Sequence, residues 1–103
     1  VNLVENVKIE ELTSEQIEVL CIFAEEAARR YVLSKVPSKK VETLNISVDA
    51  EGEKTLTLTV DVDIVLSPLM KDFDVQGLVD EAVKEAFAAA EKYMRELKCR
   101  LQK

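Results

Sequence analysis

The sequence predicts a two-layer α+β domain of αββα layout, an antiparallel β-hairpin (about residues 40–49 and 54–66) covered on one face by helices at about 14–35 and 74–101. Three observations predict it. A helix-start signature stands at Thr13; apolar residues take even positions through the middle of the chain; and apolar residues return every three to four positions from Leu78 almost to the end.

Residues 1–11 carry Val4, Val7 and Ile9 among polar neighbours, which reads as an N-terminal arm, either loose or partly ordered as a short strand on the domain edge. The single αββα domain then occupies 12–103, a length that supports one hydrophobic core and not two.

The first helix should begin at Ser14. Thr13 with Gln16 three positions on forms a capping-box pair, and Leu12 and Ile17 bracket it as a hydrophobic staple. Ile17, Leu20, Cys21, Ala24, Ala27, Ala28 and Tyr31 keep three-and-four spacing, and Val19, Ile22 and Phe23 widen the apolar arc. A helix with so wide an arc meets more than one neighbour. Glu25 with Arg29 and Glu26 with Arg30 are i,i+4 pairs in the favourable order, each contributing about 0.2 to 0.5 kcal/mol. Pro37 ends the helix by removing a donor and pushing Val36 out of the α region.

The period then changes to two. Leu44, Ile46, Val48, Leu56, Leu58, Val60, Val62, Ile64 and Leu66 lie at even positions, while Thr43, Asn45, Ser47, Thr55, Thr57, Thr59, Asp61 and Asp63 lie at odd ones. One face is dry and the other wet. Asp49, Ala50, Glu51 and Gly52 suit a type I turn with Gly52 in a left-handed conformation, which would set Ile46 opposite Leu56, Leu44 opposite Leu58 and Lys39 opposite Asp63. A lone hairpin leaves the second strand with an open edge, and residues 55–66 hold no Lys or Pro to blunt it, so a dimer is expected.

Ser67 and Pro68 close that strand. Asp74 caps the last helix, with Phe73 and Leu78 as staple. The helix should measure about 40 Å and project beyond a hairpin strand of about 34 Å, so its last two turns are where a partner is expected. An antiparallel coiled coil with a projecting hairpin, the general plan of prefoldin subunits, fits less well because the helices are unequal and the first has too broad an apolar face.

The composition narrows the functions. Apolar residues at 48% with charged residues at 33% set the chain apart from disordered ones, and a net charge of -6 repels a polyanion unless the cations gather on one face. No apolar run could span a bilayer and no signal peptide is evident, so a cytoplasmic location is expected. Sparse Asn and Gln beside abundant Glu, Lys and Ala lean toward a thermophile. Without His, imidazole catalysis, the common triads and His-containing zinc sites are missing, and Gly52 and Gly77 stand outside any phosphate-loop pattern. Cys21 and Cys99 read as reduced, inert thiols, with a bond between the two helices as the alternative.

Asp61 and Asp63, two apart on a strand, could in principle hold a cation; a solvated strand face explains them more simply. No catalytic, cofactor-binding or metal residue is therefore designated, and no cofactor is expected. The candidate interaction surface consists of Arg29, Arg30, Lys39 and Lys40 around the end of the first helix, and Lys92, Arg95, Lys98 and Arg100 near the end of the last. Cations at a helix C-terminus also suit the macrodipole.

The strings DVDIVLSP (residues 61–68) and LVDEAVKEAF (residues 78–87) resemble those of small uncharacterised archaeal proteins of helix–hairpin–helix layout. The resemblance implies the fold and carries no activity onto any residue. The first expectation for function is a non-enzymatic structural or adaptor protein acting through self-association, as a homodimer, or through binding another protein. An RNA-associated accessory factor using the basic helix ends comes second, and an enzyme with a carboxylate-only site third.

Overall fold

The computed structural model describes residues 1–101. Its order is β1 (Asn2–Ile9), α1 (Ser14–Lys35), β2 (Val41–Glu51), β3 (Leu56–Leu66) and α2 (Val75–Leu101), with single 3-10 turns at Ser38–Lys40 and Pro68–Met70. An antiparallel sheet of order β1-β3-β2 packs on one face against the two helices. This is the two-layer α+β architecture expected, with a third strand added.

Both helices start where their caps dictate. The Gln16 N–H donates to the Thr13 hydroxyl at 3.1 Å and the Thr13 N–H donates to the Gln16 side chain at 2.9 Å, closing the capping box. At α2 the Gly77 N–H donates to the Asp74 carboxylate at 3.0 Å. At the other end of α1, the Val36 N–H still reaches the Val32 carbonyl at 3.0 Å before Pro37 turns the chain away.

Residues 2–9 form a strand whose whole length pairs with β3, from Asn2 opposite Asp63 to Ile9 opposite Leu56. Its helix-facing side reads Leu3, Glu5, Val7, Ile9, because these lie across from the buried Val62, Val60, Leu58 and Leu56. Glu5 interrupts the apolar alternation and hides the strand in the sequence. With β1 on one side and β2 on the other, β3 is central, so the open edge expected along residues 55–66 does not exist. The free edges belong to β1 and β2.

The hairpin register also differs from the expected one. Ile46 pairs with Val62 and Leu44 with Ile64, not with Leu56 and Leu58, and Asn45, not Lys39, lies opposite Asp63. Strand β2 continues through Asp49, Ala50 and Glu51, so the turn lies at 52–55, three residues beyond the anticipated turn at 49–52. Longer strands add ladder pairs such as Val48–Val60 and Ala50–Leu58 that an earlier turn would lose. Gly52 does take a positive φ, 134°, and a Cβ there would collide with the Thr55 carbonyl oxygen.

The even-numbered face of β3 is the floor of the core: Leu58, Val60, Val62 and Ile64 are all fully buried. Helix α1 lies over β2 and α2 over β3 and part of β1. Leu20, Ala24, Ala28 and Val32 of α1 and Val79, Ala82, Val83 and Ala86 of α2 fill the space above. Small Ala residues on both helices let the two backbones approach closely, and each large side chain wholly buried contributes about 1.5 to 3 kcal/mol. Among the described residues no helix is long and apolar enough to cross a membrane.

Candidate functional site

Helix α1 carries apolar side chains on the face opposite its core stripe. At 100° per residue the buried Leu20, Ala24, Ala28 and Val32 define one side. Val19, Ile22, Glu26, Arg30 and Leu33 define the other. Val19, Ile22, Phe23 and Leu33 are 37, 47, 44 and 42% exposed. The apolar arc of α1 meets β2 and α2 on its inner side, while Val19, Ile22 and Leu33 remain exposed on the outer one.

The stripe borders the groove between the antiparallel helices. The Phe23 ring meets the Tyr93 ring edge-to-face at 5.4 Å and 71°. Around that pair Glu26, Ala27 and Arg30 of α1 face Ala89, Lys92 and Glu96 of α2 across a shallow space of about 240 Å³. Of the two i,i+4 pairs expected on α1, Arg29 donates to Glu25 at 2.8 Å. Glu26 and Arg30 make no ion pair among the described residues, although both are exposed and one turn apart.

The eight basic candidates do not form one surface. Arg29 is engaged by Glu25, while Arg30 and Lys92 share the interhelical groove with two glutamates. Lys39 and Lys40 lie in the turn before β2, where the Lys40 carbonyl accepts from the Ser67 N–H at 2.7 Å. Arg95 and Lys98 flank the end of β1, and Lys98 reaches Glu10 at 3.0 Å. The side chain of Arg100 lies outside the described residues. Glu91, Met94, Arg95 and Lys98 of α2 lie beside Lys8, Ile9 and Glu10 across a cleft of about 500 Å³.

Sequence reasoning could not have included Lys8 in this group, since only the pairing of β1 with β3 brings it there; its amino group donates to the Thr57 hydroxyl at 3.0 Å. Interleaved with Glu10 and Glu91, these cations make a mixed surface and not a positive one.

On the open face of the sheet, Asp61 accepts from the Asn2 amide at 2.6 Å, and Asn45 and Ser47 lie beside Asp61 and Asp63. Among the described residues no group of three or more His, Cys, Asp or Glu side chains is arranged to hold a metal ion. Cys21 and Cys99 are free thiols, Cys99 exposed and Cys21 half-buried beneath α1. Burial, and secondarily the Asp49 carboxylate, push the Cys21 thiol up from its ordinary value.

No curated protein matches this chain. Among solved structures, a crystal structure from Thermococcus onnurineus NA1 superposes with a TM-score of 0.80 at 26% identity, covering 97% of this chain and 98% of that one. The solution structure of the hypothetical protein mth677 from Methanothermobacter thermautotrophicus superposes with a TM-score of 0.72 at 25% identity, covering 85% of this chain and 94% of that one. Both share the three-element logic of helices over one antiparallel sheet, in agreement with the archaeal resemblance read from residues 61–68 and 78–87. Residues 9–93 match the family described as a protein of unknown function (DUF3194), and the chain belongs to that family.

Proposed function

We propose that the protein is a non-enzymatic structural or adaptor protein of the cytoplasm that works by self-association, as a homodimer, or by binding another protein. The observation that supports this most directly is the outward stripe of α1. Val19, Ile22, Phe23 and Leu33 each keep more than a third of their surface in water, on the side of the helix where charged residues would cost nothing. Covering them removes apolar area from water at about 25 cal/mol per Å².

Size-exclusion chromatography with light scattering tests the reading. The wild type is expected to run as a dimer, and Ile22→Glu with Leu33→Glu as a monomer of unchanged circular dichroism. RNA association is the second reading, on Lys8, Arg95 and Lys98 bordering one cleft that Glu10 and Glu91 also line. A strictly monomeric wild type that shifts RNA with steep salt dependence, lost on replacing Arg95 and Lys98, would sink the first reading and favour the second.

A further inference from the structure

We infer that α1 pairs antiparallel with α1 of a second copy, about a two-fold axis crossing it near residue 28, so that Glu26 of each copy faces Arg30 of the other. The inference rests on the self-association branch of the reading above and names its surface. Along α1 the acidic residues Glu15, Glu18, Glu25 and Glu26 all precede the basic Arg29, Arg30 and Lys35. Antiparallel pairing about residue 28 overlaps residues 21–35 of the two helices, and within that overlap Glu25 and Glu26 of each copy lie against the stretch carrying Arg29 and Arg30 of the other, so the boundary between Glu26 and Arg29 sets the axis.

The same axis brings Ile22 and Phe23 against Leu33 of the second copy, so apolar and charged matches coincide. Other registers lose one or the other. An axis at residue 26 sets Glu26 on Glu26, and one at residue 24 sets Ile22 against Glu26 and Glu15 against Leu33. The macrodipole would also favour acids first and bases last, but it asks nothing of Ile22 and Leu33 on the outward face.

Glu26 and Arg30 make no ion pair within the chain among the described residues, which leaves both available across the axis. An isologous contact of this kind is self-complementary and closed, so it stops at two copies.

Charge-swap complementation provides the test. Glu26→Arg and Arg30→Glu, each checked for an unchanged circular dichroism spectrum, are measured singly and as an equimolar mixture by analytical ultracentrifugation. Each variant alone sets like charges across the axis and is expected to dimerise at least about tenfold more weakly than wild type, while the mixture regains dimer as the mixed species only. A wild-type dimer that neither substitution weakens, or a mixture no tighter than its components, overturns the α1 pairing and leaves self-association through another surface standing. A wild type that stays monomeric overturns both.

Discussion

Helices α1 and α2 cover the same sheet with the same kind of inner surface, small alanines alternating with branched side chains, yet their outer surfaces are opposites. In α2 the side turned to water reads Glu81, Lys84, Glu85, Ala88, Glu91, Lys92 and Arg95, and no large apolar side chain among its described residues is well exposed. In α1 the equivalent side holds Val19, Ile22 and Leu33 with Phe23 at its border. Burial in the monomer accounts for the large apolar side chains of α2 among the described residues, all buried or half-buried, and leaves a stripe of α1 exposed.

Substitutions on the two sides of α1 should separate these roles most strongly. Leu20→Ala removes a fully buried side chain and is expected to cost about 2 to 5 kcal/mol in urea unfolding. Ile22→Ala, on the outward side, should cost the monomer less than about 1 kcal/mol. Equal losses at the two positions would mean that the outward stripe is structural.

The cysteines compare the helices chemically. Cys99 on α2 is exposed and Cys21 on α1 half-buried, so a thiol reagent at neutral pH is expected to modify Cys99 at least about tenfold faster. Because folding raises the Cys21 value, its reaction should keep accelerating above the ordinary thiol range. The stability linked to that thiol is intact below its ordinary value and is lost as pH rises through the raised one. Equal rates at both thiols would show that α1 opens readily from β2.

Smaller effects test the helix starts. Thr13→Ala and Asp74→Ala each remove a cap and should each cost about 0.5 to 2 kcal/mol, read from the shift in the unfolding midpoint. Lys84→Ala breaks the exposed Glu81–Lys84 contact at 3.5 Å and should change stability by less than about 0.5 kcal/mol, in keeping with an α2 surface that serves solvation.

Local signals in the chain were enough to place both helices and both faces of the sheet. Thr13 with Gln16 and the stop at Pro37 bound α1 at Ser14–Lys35, and Asp74 starts α2 within a residue of the expected position. Even-numbered Leu58, Val60, Val62 and Ile64 had to face inward together, because a strand sends alternate side chains to opposite faces. These outcomes depend on residues a few positions apart, where capping, periodicity and Pro geometry act directly.

Packing settled the rest. Sliding β2 along β3 by an even number of residues keeps every apolar side chain on the same face, so alternation could not choose between pairing Ile46 with Leu56 and pairing it with Val62. Residues 2–9, broken by Glu5, become a strand because β3, from the middle of the chain, offers an unpaired edge. That contact makes β3 central and brings Lys8 beside Arg95. Such long-range choices are made by the ladder bonds and buried area of the assembled sheet, quantities that no short window of residues contains.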